Sequence, residues 1–239
     1  MSKSLPLVET VVSWQGEGIF QGELSFFLRF KRCNRKVPCP FCDTVERISD
    51  SFEHNICFDD LFNVAHTIND KYVITGGEPT LYNNHLVDFF KYLDSKIKNG
   101  IVSKVTIETN GYKLKNLIAK LENGVSFVFL ENVFYDYSPK EFDNPEEYKK
   151  ILSIVEFLYE KYNENSYIKI VAYDHKEKYK YTKQILEDLT NRFPKLLIYV
   201  MPEGSTYTEI ILHASEILSI VKHYKCNFSS RMHLIHNFY

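Results

Sequence analysis

Cys33, Cys39 and Cys42 fall within ten residues of one another, in the pattern Cys33-x5-Cys39-x2-Cys42. Soft thiolates at such short spacing can hold zinc or an iron–sulfur cluster. A closed zinc site needs a fourth ligand; His54 lies twelve residues beyond Cys42, and the other histidines are scattered. Three thiolates without a clear fourth partner point to a four-iron cluster with one iron left open for a substrate or cosubstrate. Three reduced thiols in a loop are the plainer alternative, although free cysteines usually occur singly as small buried hydrophobes.

Other polar and glycine motifs are spread along the chain: Thr75-Gly76-Gly77-Glu78-Pro79, Glu108-Thr109-Asn110-Gly111, Ser138-Pro139-Lys140 and Met201-Pro202-Glu203. Glycines let a backbone approach a ligand closely, yet the same residues make ordinary turns that close strands. Asp43-Thr44 could cap a helix. Alternatively, Thr44 offers a neutral hydroxyl to Mg2+, an ion that keeps its waters and takes few protein ligands. Arg29 presents a planar fork that matches a carboxylate, and Gln15 offers both a donor and an acceptor. Alternation in Phe26-Phe27-Leu28-Arg29-Phe30 leaves an inward-facing Arg29 open.

These residues need strand ends to carry them. Short β-rich runs alternate with helical patterns: strands at Ser25–Phe30, Tyr72–Thr75, Lys104–Glu108, Ser126–Leu130, Ile168–Val171 and Leu196–Val200. Helices are expected at Asp59–Ile68, His85–Ile97, Leu114–Leu121, Glu146–Tyr162, Thr182–Arg192 and Glu209–His223. Strand and helix alternate about six times, the signature of a parallel α/β sheet or barrel, and too few for an eight-stranded closure. The expected fold is an incomplete (β/α)6-type parallel barrel, with the motifs at the C-terminal ends of its strands. No repeat or linker marks a boundary, so residues 1–239 read as a single domain.

The chain of 239 residues, 44% hydrophobic and 25% charged with a net charge of −2, has a globular composition. No global basic field points to nucleic acid, and no apolar run approaches the roughly 18 residues that span a bilayer. Glu9 interrupts the N-terminus before a signal-peptide core could form. A cytoplasmic location is therefore expected, where five cysteines would stay reduced.

A three-cysteine loop after the first strand, followed by Gly76-Gly77-Glu78-Pro79 after the second, resembles the radical S-adenosylmethionine enzymes. The flanking residues narrow this. Gln15-Gly16-Glu17-Gly18, Arg29, Cys33-Asn34, Cys42-Asp43-Thr44, Thr75-Gly76-Gly77-Glu78-Pro79 and Glu108-Thr109-Asn110-Gly111, in that order, are similar to the 7-carboxy-7-deazaguanine synthases. Ser138-Pro139-Lys140 and Met201-Pro202-Glu203-Gly204 extend the likeness over nearly the whole chain. Two departures stand out: two residues more than the usual C-x3-C between the first cysteines, and Arg32 where glycine is common.

The resemblance implies a radical lyase that converts 6-carboxy-5,6,7,8-tetrahydropterin to 7-carboxy-7-deazaguanine with loss of ammonia. Cys33, Cys39 and Cys42 would hold a [4Fe-4S] cluster, and Thr44 would meet Mg2+. Phe41, Asp43, Gly77, Glu78, Ser138, Pro139, Lys140, Met201, Pro202 and Glu203 would contact S-adenosylmethionine. Trp14, Gln15, Gly16, Glu17, Arg29 and Thr75 would contact the pterin, joined by the terminal carboxylate of Tyr239. A homodimer and a flavodoxin-like electron donor are also implied, with no nucleic acid or membrane partner. The basic run Arg29, Lys31, Arg32, Arg35 and Lys36 could face such a donor, or be a solvated loop. Two rival functions use the same cysteines: a glycyl-radical-enzyme activating enzyme, and a non-catalytic zinc-binding module.

Overall fold

Strands covered on both faces bury nearly every side chain, and two segments of this chain do so: Lys71–Gly76 over its central four residues and Ser166–Ala172 throughout. The computed structural model describes residues 3–39, 42, 44, 50–68, 70–97, 104–140, 144–172, 176–204 and 206–236. The chain divides into two compact units. One comprises Met1–Ser13, Leu24–Pro38 and Cys42–Tyr135; the other comprises Trp14–Glu23, Cys39–Phe41 and Asp136–Tyr239.

In the first unit, β1 (Ser4–Leu7) pairs antiparallel with β4 (His54–Cys57) as a two-stranded sheet. The larger sheet sets β2 (Glu9–Trp14), β3 (Leu24–Phe30), β5 (Lys71–Gly76) and β6 (Lys104–Thr109) side by side. The pairs β3–β5 and β5–β6 are parallel, with Arg29 opposite Thr75 and Ile74 opposite Ile107. Helices α1 (Phe58–His66), α2 (Asn83–Ile97), α3 (Leu114–Glu122) and α4 (Phe127–Leu130) complete the crossovers. Leu86, Phe89, Phe90 and Leu93 of α2 are buried together with Val73, Val105 and Ile107. A parallel pair needs such a crossover, and the amphipathic helix closes over the sheet.

In the second unit, β7 (Val133–Tyr137), whose first three residues belong to the first unit, leads to β8 (Ser166–Ala172), β9 (Leu197–Pro202) and β10 (Asn227–Phe228) in spatial order. The pairs β8–β9 and β9–β10 are parallel. Helices α5 (Pro145–Tyr162), α6 (Lys176–Arg192) and α7 (Tyr207–Tyr224) connect them, and α8 (Met232–His236) follows. Asn144 caps α5 by accepting from the backbone of Glu146 and Glu147. Thr206 and Glu209 form a reciprocal capping box on α7. Among the described residues, no helix is long and apolar enough to cross a membrane.

The expected α/β class and mostly parallel pairing hold. The strand expected at Ser126–Leu130 does not: Phe127–Leu130 is helical, and the strand is the next run, Val133–Tyr137. A short apolar run fits either state, and local hydrogen bonds decide here. Ser126 accepts from the Phe129 amide at 3.3 Å, its amide donates to Asp94 Oδ2 at 2.9 Å, and its hydroxyl donates to Asp94 Oδ1. The turn buries Phe129 and leaves Phe127 73% exposed. Helix α6 also begins at Lys176, six residues before the expected Thr182.

Replacing Ser126 with Ala removes this cap and one of the two bonds to Asp94. The variant should lose about 1–2 kcal/mol in urea titration. An unchanged midpoint would show that the cap does not hold this turn.

Candidate functional site

The first unit seats the start of the cysteine loop on the strand end that carries the glycine pair. The Gly77 amide donates to Phe30 O at 2.8 Å, and the Glu78 amide donates to Arg32 O at 2.7 Å. Close approach requires the glycines. Gly76 has φ +120°, and a Cβ there would lie 2.1 Å from Phe30 O. At Gly77 a Cβ would lie 2.2 Å from Arg32 O and 2.8 Å from the Cys33 amide nitrogen. The backbone leading into Cys33 is therefore fixed by the end of β5.

Glu78 fastens this platform to β6. Its side chain is fully buried. One oxygen accepts from the Thr80 amide at 3.0 Å and from the Thr80 and Thr109 hydroxyls at 2.6 Å each; the other accepts from the Asn110 amide at 2.7 Å. Burial pushes the carboxyl above its ordinary range, while the bonds from Thr109, Thr80 and Asn110 pull the other way. Asn110 in turn donates to Asn34 Oδ1 at 2.8 Å, with its Nδ2 also 3.9 Å from Cys33 Sγ.

The parallel register brings Arg29 beside Thr75. Arg29 Nε donates to Glu9 Oε2 at 2.7 Å, and Nη1 donates to the Thr44 hydroxyl at 3.4 Å. The Thr75 hydroxyl donates to Glu108 Oε2 at 2.6 Å. Arg29 thus faces inward, paired with a carboxylate, rather than standing as a surface charge. In the basic run beyond it, Lys31 donates to Ser51 O at 2.5 Å, while Arg32 and Lys36 are exposed.

In the second unit, Gln15 is buried and its Oε1 accepts from the Glu17 amide at 3.3 Å. Trp14 is half exposed. Gly16 lies against His233, and Glu17 is engaged by Lys169 at 2.8 Å and Arg231 at 3.1 Å. Ser138, Pro139 and Lys140 follow β7 directly, and Lys140 donates to the Ser138 hydroxyl at 2.8 Å. Burial holds the Lys140 ammonium below its ordinary value, with Cys39, Glu17 and Asp136 pulling it back up and Lys169 adding to the depression. Met201 and Pro202 are buried at the end of β9, and the Glu203 carbonyl contacts His213 Nδ1 at 2.7 Å.

None of Cys33, Cys39 and Cys42 is in a disulfide; Cys33 is exposed and the other two are half-buried. Among the described residues, no group of three or more histidine, cysteine, aspartate or glutamate side chains is gathered to hold a metal ion. Phe41, Asp43 and Tyr239 lie outside the described residues.

No protein-family model matches the chain. Individual proteins do. It is 29% identical over 237 residues to the 7-carboxy-7-deazaguanine synthase of Hyperthermus butylicus, spanning 97% of this chain and 92% of that protein. The Halobacterium salinarum protein of the same name is 25% identical over 240 residues, 97% of this chain and 90% of that one. A segment of 87 residues is 40% identical to the Prochlorococcus marinus 7-carboxy-7-deazaguanine synthase, covering 35% of this chain and 38% of that protein. The chain is thus similar, along nearly its whole length, to proteins named 7-carboxy-7-deazaguanine synthase. The crystal structure of QueE from Escherichia coli is similar in fold, with a TM-score of 0.57 at 20% identity over 95% of this chain and 93% of that one.

Sequence reasoning missed several residues that organise these sites. Glu9 orients Arg29, and Lys169 and Arg231 engage Glu17, with Asp136 paired to Lys169. A signal existed for two of them: Asp136 and Lys169 each interrupt an apolar strand, in Val133–Tyr137 and Ser166–Ala172. Charged residues are almost never fully buried unless paired.

Gly77→Ala should force the Arg32–Cys33 backbone off the end of β5. We expect a loss of about 1–3 kcal/mol in denaturant titration of metal-free protein, together with reduced iron uptake on reconstitution. An unaltered midpoint would contradict the docking of this loop.

Proposed function

We propose that this chain is a radical S-adenosylmethionine lyase of deazapurine biosynthesis, converting 6-carboxy-5,6,7,8-tetrahydropterin to 7-carboxy-7-deazaguanine with loss of ammonia. The observation that carries this is the end-to-end likeness to proteins bearing that one name, 29% identity over 97% of the chain. The chemistry of the donor set supports the implied cluster, with three cysteines outside any disulfide and none of them fully buried, although their thiols are not gathered around one point. Cys33, Cys39 and Cys42 would hold it. The chemistry that the cluster and S-adenosylmethionine supply when bound is one-electron cleavage of the sulfonium, giving the radical that takes the hydrogen at C6 of the pterin.

The chain's own residues would bind and orient. With the Glu78 side chain committed to the fold, contact with the methionyl ammonium falls to backbone carbonyls of Gly76, Gly77 and Glu78. Phe41, Asp43, Ser138, Pro139, Lys140, Met201, Pro202 and Glu203 would line the rest of the cosubstrate. Arg29, oriented by Glu9, would meet the pterin carboxylate with its terminal nitrogens. Gln15, Glu17, Thr75 and the Tyr239 carboxylate would address the ring, beside Trp14 and Gly16. Thr44 would be a minority ligand for Mg2+. The Arg29 guanidinium touches the same hydroxyl, so a dication there needs an anionic substrate to offset the repulsion, and magnesium binding should depend on the pterin. An incomplete (β/α)6-type barrel acting as one domain, a homodimer, a flavodoxin-like donor and a cytoplasmic location belong to the same proposal.

The test is anaerobic reconstitution with iron and sulfide, then incubation with S-adenosylmethionine, dithionite and the pterin. A brown protein that forms 7-carboxy-7-deazaguanine and 5′-deoxyadenosine is expected. Cleavage of S-adenosylmethionine with no deazaguanine product would overturn the substrate assignment.

A further inference from the structure

Four charged side chains meet inside the second unit. Asp136 on β7 is fully buried, and Lys169 on β8 and Arg231 are each 4% exposed. Lys169 Nζ lies 2.7 Å from Asp136 Oδ2 and 2.8 Å from Glu17 Oε2. Arg231 Nε lies 3.1 Å from Glu17 Oε1, and its Nη1 donates to Gly204 O. His233 Nε2 stands 3.8 Å from the same Glu17 oxygen. Each carboxylate thus has a buried cation against it, and Lys140 adds a further positive charge that acts on Glu17, Asp136 and Lys169. Removing one leaves a buried charge without its counterion.

The network ties distant parts of the chain. Glu17 belongs to the segment 14–23, and Arg231 opens the segment that leads into α8. Further bonds join the same two stretches. The Met232 amide donates to Gly16 O at 3.0 Å, the Gly18 amide to Ser229 Oγ at 2.9 Å, and Gln21 Nε2 to Ser230 Oγ at 2.9 Å. Gly16 and Gly18 permit the contact: a Cβ at either would strike His233 or Tyr167. Segment 14–23 is thus zipped to segment 229–233, and both are fastened to β8 through Lys169.

We propose that Lys169 and Arg231 are positioning residues for substrate recognition: they clamp the Glu17 carboxylate, fixing segment 14–23 and the segment after β10 in one register before any substrate arrives. This rests on the reading of Gln15 and Glu17 as pterin contacts. The two cations hold both oxygens of the Glu17 carboxylate, Lys169 on Oε2 and Arg231 on Oε1. They also fix the orientation of the carboxylate, the kind of group that accepts from the paired N–H donors of a pterin's amino-pyrimidinone edge. Binding then costs little ordering of the loop, because the clamp has already ordered it.

Hydrogen exchange on the metal-free full-length protein tests the clamp without reference to activity. In Arg231→Met, amides of residues 16–22 should exchange at least tenfold faster, while β8 amides keep their protection and exclude global unfolding. Arg231→Lys, which retains the charge, should recover part of the protection. In reconstituted holoenzyme, Arg231→Met should weaken pterin binding at least tenfold, with S-adenosylmethionine cleavage in the absence of pterin preserved. Unchanged exchange in residues 16–22 overturns the clamp; faster exchange with unchanged pterin affinity overturns its role in recognition. If the parent protein binds no pterin, the proposed function and the recognition role fall together, and the exchange result still decides the clamp.

Discussion

A carboxylate withdrawn entirely from water must be solvated by the protein, and Glu78 is solvated by four N–H and O–H donors from the ends of two strands. A buried acceptor left unsatisfied costs about 1–3 kcal/mol, so these donors are not free to drift. Thr80 starts the turn after β5, and Thr109 and Asn110 end β6. Glu78 therefore sets the spacing of the two strand ends. The loop after β3 then takes its position from the same turn, through the amides of Gly77 and Glu78. What reads in sequence as a glycine motif beside an acid is physically a carboxylate staple carrying a backbone shelf.

The second unit solves a related problem with charge. Asp136 and Lys169 sit on strands whose other side chains are mostly buried and apolar, and neither could be there alone. Each needs the other, and Lys169 also needs Glu17. A buried ion pair is weak evidence for stability, because desolvation offsets much of the attraction. Its value here is specificity of register. Only one placement of segment 14–23 delivers a carboxylate to Lys169 and Arg231 at once.

Much of the scaffold was legible in the sequence because it is periodic. The helices over α2, α5 and α7 follow amphipathic patterns, and their strands end in glycine or proline motifs. The glycine pair was legible as a place where backbones approach closely. The failures have physical causes. Ser126–Leu130 and Val133–Tyr137 are both short and apolar, and the Ser126 cap with its contact to Asp94 marks the first as a helical turn. Glu9 and Arg231 look like ordinary surface charges; their partners lie twenty and 214 residues away along the chain. No local pattern encodes such pairings.

The proposed radical chemistry would demand that a reactive species meet one hydrogen and little else, so a platform that is rigid before ligands bind suits it better than one assembled by them. The chain supplies that rigidity itself, at the Glu78 staple. Residue-resolved hydrogen exchange of the metal-free protein tests this most directly. The amides of Gly77, Glu78 and Asn110 should exchange as slowly as those of Val73 and Ile74 within β5. Exchange at the rate of an open loop, with β5 still protected, would contradict the account.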